Sequence, residues 1–251
     1  LFGQLYNAPV YKLLGGHRKE LTTDITVSIN EPEEMAQDSI KAVKLGYKTL
    51  KIKVGKDGKK DMLRMQSIRD AVGYDIDLRI DANQGWSPKE AVRALRNMED
   101  AGLNIELVEQ PVLAHDLAGF KYVTDNIDIP TVADESVFGP YDALKIMQLG
   151  AADIINIKLM KTGGIHNALR IVSMAEVYGV ECMIGSMLES KVSVTAAVHL
   201  AAAKSVITKF DLDGPILCSE DHAHGGAIYD HYKITLSDAP GFGITGIDGI
   251  I

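Results

Sequence analysis

The sequence predicts an α/β fold of the TIM-barrel type, built from eight parallel strands that alternate with helices. Eight short runs of apolar, β-branched residues recur at intervals of roughly 22 to 29 residues, and segments of helical periodicity separate them. The length of 251 residues suits one such barrel. A doubly wound open sheet fits the same alternation and stays an alternative, although no GxxxxGKS/T motif supports a nucleotide fold.

The eight predicted strands are TTDITVSI (22–29), KTLKIKV (48–54), DLRIDAN (77–83), IELVEQP (105–111), PTVADES (130–136), DIINIKL (153–159), ECMIGSM (181–187) and TKFDLDG (208–214). Helices are predicted over 32–46, 59–73, 114–126, 139–149, 163–179 and 191–204. A further helix is predicted in SPKEAVRALRNMEDAG, where Ser87 can cap the first turn, Pro88 lies in it and Gly102 follows the end.

Three segments are expected along the chain. Residues 1–21 precede the first predicted strand, and residues 22–214 are interpreted as the barrel itself. Residues 215–251 are glycine-rich and irregular and are expected to pack on the barrel. The last helix is therefore predicted to be absent or rebuilt, which gives a (β/α)7β arrangement.

Composition excludes several classes of partner. The net charge is −8 and the charges of both signs are interspersed, so no basic stripe predicts nucleic-acid binding. No run reaches the roughly 18 apolar residues of a membrane span. Cys182 and Cys218 lie in unrelated contexts without a CxxC motif, as is usual in a reducing compartment. We therefore expect a cytoplasmic protein that binds neither nucleic acid nor membranes.

Two lysines share one face of the second predicted strand. Lys51 and Lys53 are two positions apart, so their side chains point to the same side of the sheet. Adjacent ammonium groups repel each other, and this repulsion favours a neutral amine that can act as a base. The sequence alone leaves open whether this pair is catalytic.

Carboxylates occupy the C-terminal ends of three consecutive predicted strands, where barrel enzymes build their sites. Asp81, Glu109 and Asp134 can point at a common volume, and a hard divalent cation such as Mg²⁺ would relieve their repulsion. The alternative is a cluster of ion pairs with the nearby lysines. Glu135 is adjacent to Asp134 and must diverge from it, and spacing alone does not choose between them.

A further lysine lies near the end of the sixth predicted strand. Lys158 and Lys53 lie on opposite sides of the strands that carry the carboxylates, an arrangement that suits removal of a proton from one face of a carbon and its return to the other. Lys158 is alternatively a structural partner of a metal ligand. Lys161 is a rival for its role, because the strand end is uncertain by a few residues.

The last two predicted strands carry candidate substrate contacts. Asp211 and Asp213 share a face and can accept hydrogen bonds from a ligand ammonium group, although Asp213 is alternatively a turn cap before Gly214. The loop that contains Ser186 and Met187 offers backbone groups.

The motifs KIKVG, DANQGW, VEQP, ADES, IKLMKTGG and GSMLES resemble the enolase superfamily, in its muconate-lactonizing subgroup, over about residues 1 to 214. FDLDGP resembles the dipeptide epimerases that act on L-Ala-D/L-Glu and related dipeptides. The resemblance implies Mg²⁺ on Asp81, Glu109 and Asp134, acid/base lysines at Lys53 and Lys158 and a supporting Lys51. It favours Asp134 over Glu135 and Lys158 over Lys161.

The resemblance also implies a substrate and its contacts. Asp211 and Asp213 would hold the amino terminus of a dipeptide, and Thr26 and Ser28 would line the pocket. It implies inversion of the α-carbon of the C-terminal residue through an enolate, and a homo-oligomer. The N-terminal α+β capping domain of the family is expected to be absent from this chain, because nothing before Leu1 can form it. Residues 1–21 resemble the connector segment that follows this domain in the family.

Two other classes of function fit parts of the sequence. The same scaffold serves o-succinylbenzoate synthesis, N-acylamino acid racemisation and cycloisomerisation, which need an enolate but no carboxylates for an ammonium group. A barrel kept as a non-enzymatic metal-binding or assembly module would need neither lysine.

Overall fold

The computed structural model describes residues 1–55 and 57–249. Its strands are β1 (Glu20–Thr22), β2 (Ile25–Val27), β3 (Thr49–Lys53), β4 (Asp77–Asp81), β5 (Ile105–Glu109), β6 (Thr131–Ala133), β7 (Ile154–Lys158), β8 (Glu181–Gly185), β9 (Ile207–Asp211), β10 (Ala223–Gly225), β11 (Ile228–Asp230), β12 (Lys233–Thr235) and β13 (Ile244–Ile247). Its helices are α1 (Phe2–Leu5), α2 (Val10–Leu13), α3 (Pro32–Lys44), α4 (Gly58–Val72), α5 (Pro88–Asp100), α6 (Leu117–Thr124), α7 (Pro140–Leu149), α8 (Leu159–Thr162), α9 (Ile165–Tyr178), α10 (Lys191–Ala203) and α11 (Gly214–Leu217).

Strands β2 to β9 form one eight-stranded sheet in chain order. Strands β2 to β7 pair in parallel along this order, as do β8 and β9. Helices α3, α4, α5, α6, α7, α9 and α10 lie between successive strands. The strictly sequential order is that of the TIM-type fold, whereas a doubly wound sheet reverses its strand order. The predicted fold class is confirmed, and the doubly wound alternative is wrong.

The first predicted strand, 22–29, is wrong as one element. Strand β1 pairs antiparallel with β12, and β2 pairs in parallel with β3. Thr23 lies between β1 and β2, and its hydroxyl accepts a hydrogen bond from the Leu212 backbone N–H at 2.8 Å. The chain therefore changes partner at Thr23, and the alternation of apolar residues does not reveal this change.

Several strands end earlier than predicted. Asn83 and Gln110 have φ values of +41° and +38°, in the left-handed region. An extended chain cannot continue through that conformation. Strands β4 and β5 therefore end at Asp81 and Glu109, so that their final residues are charged.

The predicted start of the fifth helix is confirmed. Helix α5 begins at Pro88, and Ser87 and Glu90 form a reciprocal capping box before it. After β9, the described part of the chain contains the four-residue helix α11 and short antiparallel strands, with β10 paired to β13 and β11 to β12. The segment boundaries at residues 21 and 214 stay a prediction.

Two compact units divide the chain. Asp24–Asn156 forms the first, here called the central unit, and Leu1–Thr23 with the residues from Ile157 onwards forms the second, the terminal unit. Leu50, Ile52 and Ile80 in the strands of the central unit are fully buried. In the terminal unit, helix α10 buries most of its residues. None of the helices among the described residues has the length and apolar character of a membrane span.

Candidate active site

A row of charged residues crosses the central unit at the ends of three neighbouring strands. Lys53, Asp81 and Glu109 are the final residues of β3, β4 and β5. Lys53 is directly opposite Asp81, and Asp81 is directly opposite Glu109. The strand ends thus bring together three of the residues that the sequence singled out.

Both lysines of β3 contact the same carboxylate. Lys53 Nζ donates to Asp81 Oδ2 at 2.6 Å, and Lys51 Nζ lies 3.1 Å from the same oxygen and 2.7 Å from Glu109 Oε2. Lys51 is 3% exposed, and Asp81 and Glu109 are fully buried. Burial alone would raise the pKa of Asp81, but the charges of Lys51 and Lys53 hold this pKa below its usual value.

A glutamine holds the third carboxylate in place. Asp134 directly follows β6 and is 3% exposed. The side-chain oxygen of the fully buried Gln110 accepts hydrogen bonds from the backbone N–H groups of Asp134 at 3.0 Å and Ser136 at 3.2 Å. Burial and the charge of Asp134 raise the pKa of the neighbouring Glu135. The two adjacent carboxylates therefore have different surroundings.

Sequence reasoning missed three amide side chains in this site. Asn83 contacts Lys53 and Glu135, Gln110 contacts Asp134, and the Nδ2 of Asn156 donates to Glu109 Oε1 at 2.8 Å. Asn156 is two residues before the end of β7, and the period of two places its side chain on the same face as that of the strand's last residue. This spacing is the signal that could have found Asn156. The other two lie just beyond strand ends, where periodicity gives no direction.

The donor set of the central unit fits Mg²⁺. Asp81, Glu109 and Asp134 are buried carboxylates, and carboxylate oxygens are the ligands that this ion prefers. Two further buried oxygens, Oδ1 of Asn156 and Oε2 of Glu135, accept no hydrogen bond from the described residues, and such oxygens can accept from water bound to a cation.

The side chains of this site make ion pairs. Within residues 1–55 and 57–249, no three His, Cys, Asp or Glu side chains stand at the spacing of a complete metal site. The ammonium groups of Lys51 and Lys53 lie against the carboxylates instead. The cluster of ion pairs raised as the alternative is therefore present, on carboxylates whose chemistry suits Mg²⁺.

The terminal unit carries the other predicted base. Lys158 is the final residue of β7 and is 6% exposed. Helix α8 begins at the next residue, and the Thr162 hydroxyl donates to the Lys158 backbone oxygen at 3.3 Å. Lys161 lies within this short helix, beyond the strand. Of the two rival lysines, only Lys158 is at the strand end.

The predicted substrate contacts of the terminal unit lie close to one another. Asp211 ends β9, and its backbone oxygen accepts from the Ser186 N–H at 2.9 Å. Asp213 precedes helix α11, and its side chain makes no capping hydrogen bond to this helix. A Cβ on Gly214 would stand 2.8 Å from the Met187 oxygen, so the two loops touch. The buried Glu189, which sequence reasoning missed, accepts from the Met187 N–H at 2.8 Å.

Thr26 and Ser28 belong to the central unit. Thr26 is half-buried on β2 and lies directly opposite Lys51. Ser28 follows the end of β2 and is exposed. The structure therefore brings Thr26 next to Lys51, which contacts both carboxylates of the charged row, whereas Ser28 lies outside the strand.

The chain matches the family described as enolase C-terminal domain-like over residues 34–248. It is 67% identical over 248 residues to the L-Ala-D/L-Glu epimerase of Clostridium acetobutylicum, an alignment that covers 99% of this chain and 69% of the relative.

Two solved structures show the same fold. The substrate-liganded complex of the L-Ala-D/L-Glu epimerase from Bacillus subtilis matches with a TM-score of 0.97 and 55% identity, over 98% of this chain and 69% of that chain. The dipeptide epimerase of Enterococcus faecalis, complexed with Mg and the dipeptide L-Leu-L-Tyr, matches with a TM-score of 0.95 and 48% identity, over 98% of this chain and 69% of that chain.

Proposed function

Because this chain belongs to the enolase C-terminal domain-like family, we propose that it is a dipeptide epimerase of the L-Ala-D/L-Glu type. The reaction inverts the α-carbon of the C-terminal residue. The observation that carries the proposal is the row of Lys53, Asp81 and Glu109, with the buried Lys51 behind it. Carboxylates that can bind a cation here lie beside an amine at the end of a strand. This arrangement suits removal of a proton from the carbon next to a substrate carboxylate.

Lys53 and Lys158 exchange the α-proton in this proposal. One amine removes the proton from one face of the α-carbon, and the ammonium group of the other returns a proton to the opposite face. Each lysine is the final residue of its strand, which supports these roles because barrel enzymes carry their reactive groups at the C-terminal ends of strands. Lys51 supports Lys53 by balancing the charge of Asp81 and Glu109.

Asp81, Glu109 and Asp134 are the residues that would hold Mg²⁺. The bound ion supplies positive charge that stabilises the negative charge developing on the substrate carboxylate. Gln110 keeps Asp134 in place by accepting from the Asp134 backbone N–H. Asn156 orients Glu109 by donating to the Glu109 carboxylate.

Asp211 and Asp213 bind the dipeptide's amino terminus in this proposal, since two carboxylates can each accept from an ammonium group. Both are at least 95% buried, and the attraction between opposite charges is stronger in the low dielectric of a buried site than in water. Ser186 and Met187 in the terminal unit, and Thr26 and Ser28 in the central unit, are the other substrate contacts that we propose.

We also propose a homo-oligomer, which rests on the family resemblance, and a cytoplasmic location. Support for the location comes from Cys182 and Cys218, which are both free thiols.

The direct test is conversion of L-Ala-L-Glu into L-Ala-D-Glu in the presence of Mg²⁺, followed by chiral chromatography. Asp213→Asn is expected to raise KM for the dipeptide about tenfold to hundredfold, because a hydrogen bond to a charged group is worth about 1.5–3 kcal/mol. The exposed Asp238, which pairs with Lys12 and Lys19, provides the control Asp238→Asn, for which KM should not change.

An N-acetylated dipeptide distinguishes dipeptide epimerisation from N-acylamino acid racemisation. It lacks the ammonium group, so the wild type should use it poorly and Asp213→Asn should handle it no worse than the wild type does. An unaltered KM of Asp213→Asn for the free dipeptide, or preference of the wild type for the acetylated substrate, would instead favour N-acylamino acid racemisation.

A further inference from the structure

We propose that Asn83 is a positioning residue that aims the amine of Lys53, and that Glu135 holds Asn83 in the orientation this requires. The proposal rests on the function proposed above, because it concerns how one of the two bases is aligned. It adds two residues to the site that act through Lys53.

Two acceptors define the direction of the Lys53 amine. Lys53 Nζ donates to Asp81 Oδ2 at 2.6 Å and to Asn83 Oδ1 at 2.8 Å. A tetrahedral nitrogen with one bond to carbon has three remaining positions, and these acceptors take two of them. The third position is then fixed in space, and it carries the lone pair of the neutral amine or the proton of the ammonium group. Asn83 thus determines the line along which the proton moves.

Glu135 determines which end of the Asn83 amide faces Lys53. The Asn83 Nδ2 donates to Glu135 Oε1 at 3.2 Å. With the NH2 end of the amide on this carboxyl oxygen, the Oδ1 end is the one that faces Lys53, at 2.8 Å from its Nζ. The reverse orientation would place NH2 against the ammonium group, where both are donors.

The backbone holds Asn83 where its side chain can make these contacts. Its φ of +41° lies in the left-handed region, which asparagine tolerates better than most residues. Its backbone N–H donates to Asp81 Oδ1 at 3.0 Å, and the backbone N–H of the neighbouring Gln84 donates to the backbone oxygen of Gln110 at 2.8 Å. Asn83 therefore contacts Asp81, Lys53 and Glu135 from a conformation fixed on both sides.

The test is Asn83→Gly, measured by the exchange of the substrate α-hydrogen in heavy water from each epimer separately. Glycine accepts a positive φ without strain, so this change removes the side chain but permits the same backbone. Lys53→Ala first identifies which epimer depends on Lys53. For that epimer, we expect Asn83→Gly to slow exchange about tenfold to hundredfold, the cost of a misplaced reacting group. Exchange of the other epimer should change less than about twofold.

Two controls separate positioning from a general loss of structure. Asn104 has a φ of +49° and lies before β5, so Asn104→Gly makes the same chemical change at a left-handed position away from Lys53, and it should slow neither exchange. Glu135→Gln, which no longer imposes one orientation on the Asn83 amide, should show the same epimer preference as Asn83→Gly with a smaller effect.

Equal slowing of both epimers by Asn83→Gly and Glu135→Gln, or slowing of neither, would overturn the proposal while leaving the epimerase function intact. The absence of exchange for both epimers with the wild type would overturn the proposed function, and this inference with it.

Discussion

Replacing either Lys53 or Lys158 by alanine is expected to reduce epimerisation of L-Ala-Glu by at least about 10²–10⁴-fold, the usual contribution of a positioned acid or base. Inversion needs one amine to remove the proton and the other to return it, so the loss of either lysine stops the reaction. The measurement is the initial rate of appearance of the opposite epimer, by chiral chromatography, with Mg²⁺ present.

The same variants should differ in solvent exchange. Each retains one base, so each should still exchange the α-hydrogen of one epimer in heavy water, and the two variants should retain different epimers. Lys161→Ala is the matched control, since Lys161 lies in helix α8 rather than at the end of β7, and it should keep most of the activity. Epimerisation that survives in Lys53→Ala or Lys158→Ala would remove that residue from the mechanism.

Replacing Lys51 by methionine is expected to lower the free energy of unfolding by about 3–5 kcal/mol, measured by denaturant titration with a chelator present. Lys51 is 3% exposed and its ammonium group lies against both Asp81 and Glu109, which are fully buried. Its loss leaves two buried carboxylates without the cation they share. Methionine keeps the length and the apolar part of the side chain, so the change isolates the charge.

Two comparisons sharpen this prediction. Lys41 pairs with Asp38 at 2.8 Å, and its side chain is 73% exposed, so Lys41→Met should cost only about 0–1 kcal/mol. If Mg²⁺ binds the same carboxylates, adding it should restore more stability to Lys51→Met than to the wild type. A Lys51→Met protein as stable as the wild type in chelator would mean that the buried ion pairs contribute little.

Local periodicity predicted the elements that build the site. The spacing of Lys51 and Lys53 placed both side chains on one face of a strand, and both ammonium groups meet Asp81. The final residues of β4 and β5 are the carboxylates that were singled out, because parallel strands in register carry their ends to one edge. Such arguments use only the period of two and the order of the strands.

Side-chain contacts made by turns were beyond that reasoning. Asn83 and Gln110 turn the chain with positive φ, and the directions of their amides depend on partners that are distant in sequence. Thr23 shows the same limit, because the break between β1 and β2 depends on β12, more than 200 residues later, and on a hydrogen bond from Leu212. No local pattern contains these pairings.

The central claim is that two different groups remove and return the α-proton. It is tested most directly by incubating one pure epimer of L-Ala-Glu with the wild-type protein and Mg²⁺ in heavy water, and by measuring deuterium in the inverted product at early times by mass spectrometry and NMR. The account predicts that the inverted product carries deuterium at the α-carbon from the first turnover. Inverted product that keeps its original hydrogen, or no inversion at all, would contradict it.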